Sequence, residues 1–168
     1  MKVLGIDPGT VNLGWGFIEV DKKGQWQRIE HDCFNVPAKM PFFERLHILE
    51  VRLADLVSTY QPDIAVIEKI FLGKSVDSAF KLGHIRGVCA VRCQSVGARV
   101  VEYTPRTVKK QVTGSGSSDK QVVQNFLYRH LSLQPTGKSL DATDALALAF
   151  CHILQDSMRL KQQGMRTR

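Results

Sequence analysis

The sequence predicts an α/β fold: a mixed five-stranded sheet, made of a three-strand antiparallel meander plus two parallel strands, flanked by helices. Three observations carry that prediction. Three apolar stretches follow one another at the N-terminus, with links short enough only for antiparallel neighbours. Two later β-branched runs each follow a long helical pattern, so they join the sheet by crossover connections and lie parallel. The last third of the chain reads as helix throughout. A length of 168 residues suits one domain with a sizeable core. That domain is expected over 1–157, followed by a basic, mobile tail at 158–168.

The elements follow in order. KVLGID, 2–7, reads as a buried strand that ends on Asp7, where Pro-Gly-Thr turns the chain. LGWGFIEV, 13–20, is the second strand and QWQRIEHDCFNV, 25–36, the third, joined by the turn signal DKKG. From 41 to 60, Phe43, Leu46, Leu49, Leu53 and Leu56 recur at spacings of three and four, which marks an amphipathic helix stopped by QPD. DIAVIE, 63–68, is a short buried strand. SVDSAFKLGHIRGVCAVRCQSVG, 75–97, is helical with Gly97 as its stop, and ARVVEY, 98–103, is the fifth strand. Thr104-Pro105 is a good helix start, a capping hydroxyl followed by proline in the first turn. TGSGSS, 113–118, is a joint, and Ser118 is expected to cap the next helix. QPTGKS, 134–139, is a loop, and LDATDALALAFCHILQ, 140–155, forms the last helix.

Composition narrows the function classes. No apolar run is long enough to span a bilayer, and the N-terminus carries no signal-peptide pattern, so a cytoplasmic protein without membrane association is expected. Lys and Arg total 23 against 16 Asp and Glu, a formal charge of +7. That charge alone could serve solubility. Its distribution favours a phosphate backbone: Arg106, Lys109, Lys110, Lys120, Arg129 and Lys138 face a single acid, Asp119, and the tail adds Lys161, Arg166 and Arg168. Cys33, Cys89, Cys93 and Cys151 form no C-x-x-C pair, which argues against zinc and for buried thiols.

Asp7 and Glu68 both end apolar strands. Asp141 and Asp144 are three apart near the start of the last helix, so their carboxylates share a face, and Leu148 and His152 continue that face inward. Each feature alone has an ordinary explanation, such as a favourable helix dipole. Four acids at element ends, each beside core sequence, repel one another unless a cation joins them. Hard oxygen ligands select Mg²⁺ or Mn²⁺, and two such ions can activate water and stabilise a leaving oxygen at phosphorus. A basic chain around an acidic pocket has the profile of a phosphodiester-cleaving enzyme.

Five motifs occur in order: LGIDPGT at 4–10, IEKIF at 67–71, SAFKLGHIRGV at 78–88, VKKQVTGSGSSDKQ at 108–121 and DATDALALA at 141–149. Together they resemble the RuvC-type Holliday-junction resolvases of bacteria over about residues 2–157. The resemblance implies a ribonuclease-H-like fold and a homodimeric, divalent-metal-dependent endonuclease, with two Mg²⁺ ions per site (Mn²⁺ substituting). Such an enzyme nicks two opposing strands of a four-way junction symmetrically, leaving 5′-phosphate and 3′-hydroxyl ends. The metal-binding acids it implies are Asp7, Glu68, Asp141 and Asp144, the same four. Phe71 matches an aromatic that inserts at the junction, Lys109 a DNA-contacting lysine, and Lys120 a lysine needed near the scissile strand. Arg106 and Lys110 join the DNA-contacting set on charge alone. A branch-migration motor is implied as a further partner. The helix at 75–97, with its apolar stripe, is the expected contact between two copies. Leu13-Gly14-Trp15-Gly16, Lys69 and Thr143 depart from the usual family pattern, and Thr143 stands where a small residue is common.

Three other readings remain. A sugar kinase or actin-like ATPase also turns after its first strand on Asp-x-Gly-Thr, but needs two such domains. A non-catalytic junction-binding module has no need of four acids. A YqgF-like ribonuclease-H-fold nuclease would act on RNA.

Overall fold

A computed structural model describes residues 1–69, 75–134 and 139–166, with the side chains of 159–166 excepted. The elements are β1 (Lys2–Asp7), β2 (Asn12–Val20), β3 (Trp26–Asn35), α1 (Phe42–Tyr60), β4 (Ile64–Glu68), α2 (Val76–Ser95), β5 (Arg99–Tyr103), α3 (Pro105–Thr113), α4 (Lys120–His130) and α5 (Leu140–Arg166). The sheet runs β3-β2-β1-β4-β5. β1 pairs antiparallel with β2, and β2 with β3, while β1–β4 and β4–β5 are parallel. This is the architecture expected from the short N-terminal links and the two crossovers.

Strand alternation divides the core into two. Val3, Ile18, Val20, Ile64 and Val66 face one side, where they pack with residues of α3, α4 and α5. Leu4, Ile6, Leu13, Trp15, Phe17, Ala65 and Ile67 face the other, against α1 and α2. The first side has little room. A Cβ on Gly5 would lie 2.0 Å from the Ala145 carbonyl oxygen, one on Gly14 2.1 Å from that of Asp141, and one on Gly16 2.4 Å from the Leu146 Cα. Gly5 and Gly16 are cross-strand partners, so together they form a floor on which the α5 backbone rests. Ala145 and Ala149 supply the matching small residues from the helix.

The expected helix ends hold with two differences. Thr104 caps α3 through its hydroxyl, which accepts from the Thr107 N–H at 3.1 Å. Ser118 does not cap α4. Asp119 occupies that position without a side-chain cap bond, because the Ser118 hydroxyl is drawn across the loop to Thr113 Oγ1 at 2.7 Å. The last helix continues to Arg166, past Gln155. QDSMRLKQQ is rich in good helix formers and has no proline to stop the backbone.

Candidate active site

Strand alternation places the first two acids. On β1, residues 3, 5 and 7 face α5, and on β4 residues 64, 66 and 68 do the same. Ile6 pairs with Ile67, so Asp7 and Glu68 emerge side by side at the ends of adjacent strands, pointing at the helix. The last two acids come from the first turns of α5. The Ser139 hydroxyl accepts from the Ala142 N–H at 3.2 Å and ties down that helix start. Because α5 lies on the glycine floor, its acids are delivered to the strand ends. Carboxylate oxygens of Asp7, Asp141 and Asp144 lie within 4.8 Å of one another.

A cavity of about 350 Å³ opens over this cluster, lined by Asp7, Glu68, Lys109, Lys120 and Asp144 with Pro105, Val108, Val123, Ala147 and Leu148. Its walls are α3, α4 and α5. Lys120, at the start of α4, is ion-paired through Nζ with the Asp144 carboxylate. Lys109 lines the cavity from α3. Arg106 and Lys110, on the same helix, are exposed outside it, and Arg106 packs on Gly116. Phe71 and Lys138 lie outside the described residues.

The electrostatics are those of crowded like charges. Burial pushes the Asp7 carboxyl up to about 7, and the charges of Glu68, Asp144 and Asp141 add to it, against a smaller opposing effect of Lys120. Glu68 is raised for the same reasons, burial first and then Asp144, while Lys120, Arg86 and Lys109 act against the rise. Burial alone would lower the Lys120 ammonium. Its hydrogen bond to Asp144 and the charges of Asp144, Asp7 and Asp141 outweigh that, and its pKa is raised. Converging hard oxygen donors that resist ionising together are the donor set a divalent cation satisfies, so the residues present fit Mg²⁺ or Mn²⁺.

Several neighbours were not legible from residue types. Arg86 on α2 is ion-paired with Glu102 on β5 and acts electrostatically on Glu68. In the sequence it is one basic residue inside an apolar stripe. Arg45 donates to the Thr10 carbonyl at 3.0 Å and pins the turn that follows Asp7. His152, by contrast, is the inward-facing core histidine that the sequence suggests, buried and bonded through Nδ1 to the Tyr103 hydroxyl at 2.8 Å. Gln124 on α4 donates to the buried Thr143 hydroxyl at 3.1 Å.

A family model described as crossover junction endodeoxyribonuclease RuvC matches residues 3–152. The chain belongs to the RuvC family. The RuvC of Chloroflexus aggregans is 40% identical over 152 residues, which span 90% of this chain and 92% of that protein. The Thermus thermophilus RuvC structure superposes with a TM-score of 0.82 at 28% identity, covering 94% of this chain and 96% of that one. The structure of the same RuvC in complex with Holliday junction substrate gives a TM-score of 0.85 at 26% identity, with the same coverage. The mixed sheet is thus the ribonuclease-H-like fold that the five RuvC motifs imply.

Proposed function

We propose that this RuvC-family chain is an endonuclease that resolves four-way DNA junctions by paired, symmetric nicking. The observation that carries this reading is a cavity lined by Asp7, Glu68 and Asp144 together with Lys109 and Lys120, with Asp141 joining Asp7 and Asp144 in a tight carboxylate group beneath it. The acids hold the divalent cations, two Mg²⁺ per site with Mn²⁺ as substitute. When bound, these supply Lewis-acid activation of water and neutralise charge at phosphorus. Asp7, with its carboxyl raised to about 7, is partly protonated near neutral pH in the cation-free protein, and a bound cation would favour its ionised form. Lys120 sits where its charge can meet the non-bridging oxygens of the scissile phosphate. Lys109, across the cavity, holds the flanking backbone. Arg106 and Lys110 extend that basic face outward along α3, and Phe71 is the base-stacking wedge of the family pattern. In-line attack leaves a 5′-phosphate and a 3′-hydroxyl.

One chain supplies one acidic cluster, and a four-way junction asks for two related by a two-fold axis, so the working unit is a homodimer. Phe43, Val76, Phe80 and Val91 are between 65% and 71% exposed on α1 and α2, an apolar surface suited to a second copy. Among the described residues no helix is long and apolar enough to cross a membrane. Four-way junction DNA in the cytoplasm is its expected setting, with a branch-migration motor as its expected companion.

The test is strand cleavage of a mobile four-way DNA junction with Mg²⁺, beside linear duplex, RNA–DNA hybrid and an Asp7→Asn variant. Paired nicks on the junction alone, lost in the variant, are expected. Preference for the hybrid would move the protein to RNA chemistry, and binding without cleavage to a non-catalytic role.

A further inference from the structure

We propose that Gln124 and Thr143 are positioning residues, a polar bolt between α4 and α5 that holds Lys120 over the acidic cavity. The inference rests on the proposed role of Lys120. That lysine stands at the first position of α4, and Gln124 follows one turn later on the same face. In this structure Lys120 is ion-paired with Asp144. That pair cannot also be what fixes α4 during catalysis. A cation claims the Asp144 carboxylate and a phosphate claims the ammonium, so each partner leaves the other when the site is at work.

The described residues carry one more polar tie between the two helices. Gln124 Nε2 donates to Thr143 Oγ1 at 3.1 Å, immediately beside Asp144 in sequence. The Thr143 side chain is buried, with 1% exposure. Its hydroxyl is used twice: it accepts from Gln124 and donates to the Ser139 carbonyl at 3.4 Å. The Gln124 amide oxygen accepts from Gln121 Nε2 at 2.9 Å, which orients the amide. A chain of bonds therefore runs Gln121–Gln124–Thr143–Ser139, from the first turn of α4 to the start of α5, without touching an acid. The apolar contacts of Val123 and Leu127 hold the helices together, and the part-buried bond from Gln124 to Thr143 adds a directional tie to them.

The experiment compares Thr143→Val, which keeps shape and loses the hydroxyl, with Thr143→Ser, which keeps it, and with Gln124→Met on the partly exposed face of α4. Each is placed in the full-length protein and in a Lys120→Ala background. Single-turnover junction cleavage by Thr143→Val and Gln124→Met is expected to slow about five-fold, the worth of one neutral hydrogen bond. Junction affinity should stay within about two-fold, and Thr143→Ser should cleave like the parent. Without any cation, amide hydrogen exchange in the first turn of α4 should quicken in Thr143→Val. In the Lys120→Ala background the same substitutions should add no further slowing. A full additional slowing there would overturn the proposal, as would unchanged exchange and cleavage in both variants. If Lys120→Ala alone leaves cleavage intact, the role given to Lys120 fails, a result separate from failure of the bolt.

Discussion

The two faces of the sheet are built on opposite plans. Toward α1, the strands present Leu4, Ile6, Leu13, Trp15 and Phe17, and the space is filled with large side chains. The Tyr60 ring lies tilted against both Trp15 and Phe17, with centroids 5.6 Å and 4.5 Å away. Toward α5, β1 and β2 present Gly5, Gly14 and Gly16, and the helix backbone comes down onto them. The filled face tolerates adjustment because side chains can shift. The bare face has backbone against backbone, so the position of α5, and of Asp141 and Asp144 on it, is set by main-chain contact. Both sides carry a packed core, but the placement of the candidate acids on α5 belongs to the glycine side alone.

Substitutions can break that contrast. Gly5→Ala brings a Cβ to 2.0 Å from the Ala145 carbonyl oxygen, which α5 can relieve only by lifting. If Asp141 and Asp144 act as proposed, displacing them by about 1 Å costs on the order of 100-fold in rate, so cleavage by the folded fraction should fall by about that factor. Leu53→Ala, fully buried under the other face, should cost about 2–5 kcal/mol in denaturant unfolding and leave the cleavage rate per folded molecule unchanged.

The acid cluster gives a pH signature that the filled face lacks. With its carboxyl raised to about 7, Asp7 binds a proton more tightly in the folded chain than in the unfolded one. Its contribution to stability is present at low pH and is lost as pH rises toward 7; Glu68 acts in the same direction. The cation-free protein should therefore melt several degrees lower at pH 8 than at pH 5. Asp7→Asn should flatten that fall and melt above the parent at pH 8. The smallest effect is expected at the rim of the filled face. Tyr60 donates to Glu30 at 2.5 Å, and Arg28 also bonds Glu30, so Tyr60→Phe leaves that carboxylate partnered. It should cost about 1 kcal/mol, measured by denaturant unfolding, with no change in cleavage.

Element types and order were legible because periodicity is a local signal: the leucines of α1 and the β-branched run of β4 need no tertiary knowledge. The four candidate acids stood out in the sequence because each lies beside apolar core sequence near an element end. The glycine floor was not, since Gly5, Gly14 and Gly16 gain meaning only from a helix more than 120 residues away. The same holds for Arg86 with Glu102 and for Gln124 with Thr143, whose pairing depends on how the elements stack. Ser118 was misread because a nearby threonine competed for its hydroxyl. The end of α5 lacked any stop signal of its own.

The central claim is that acids from two strands and one helix act as a unit. Single-turnover cleavage of a four-way junction by Glu68→Gln, Asp144→Asn and the double variant tests it most directly. The account predicts that each single change costs nearly as much as both together, with junction binding retained. Rate losses that simply multiply in the double variant would show the strand and helix acids working independently, and would contradict it.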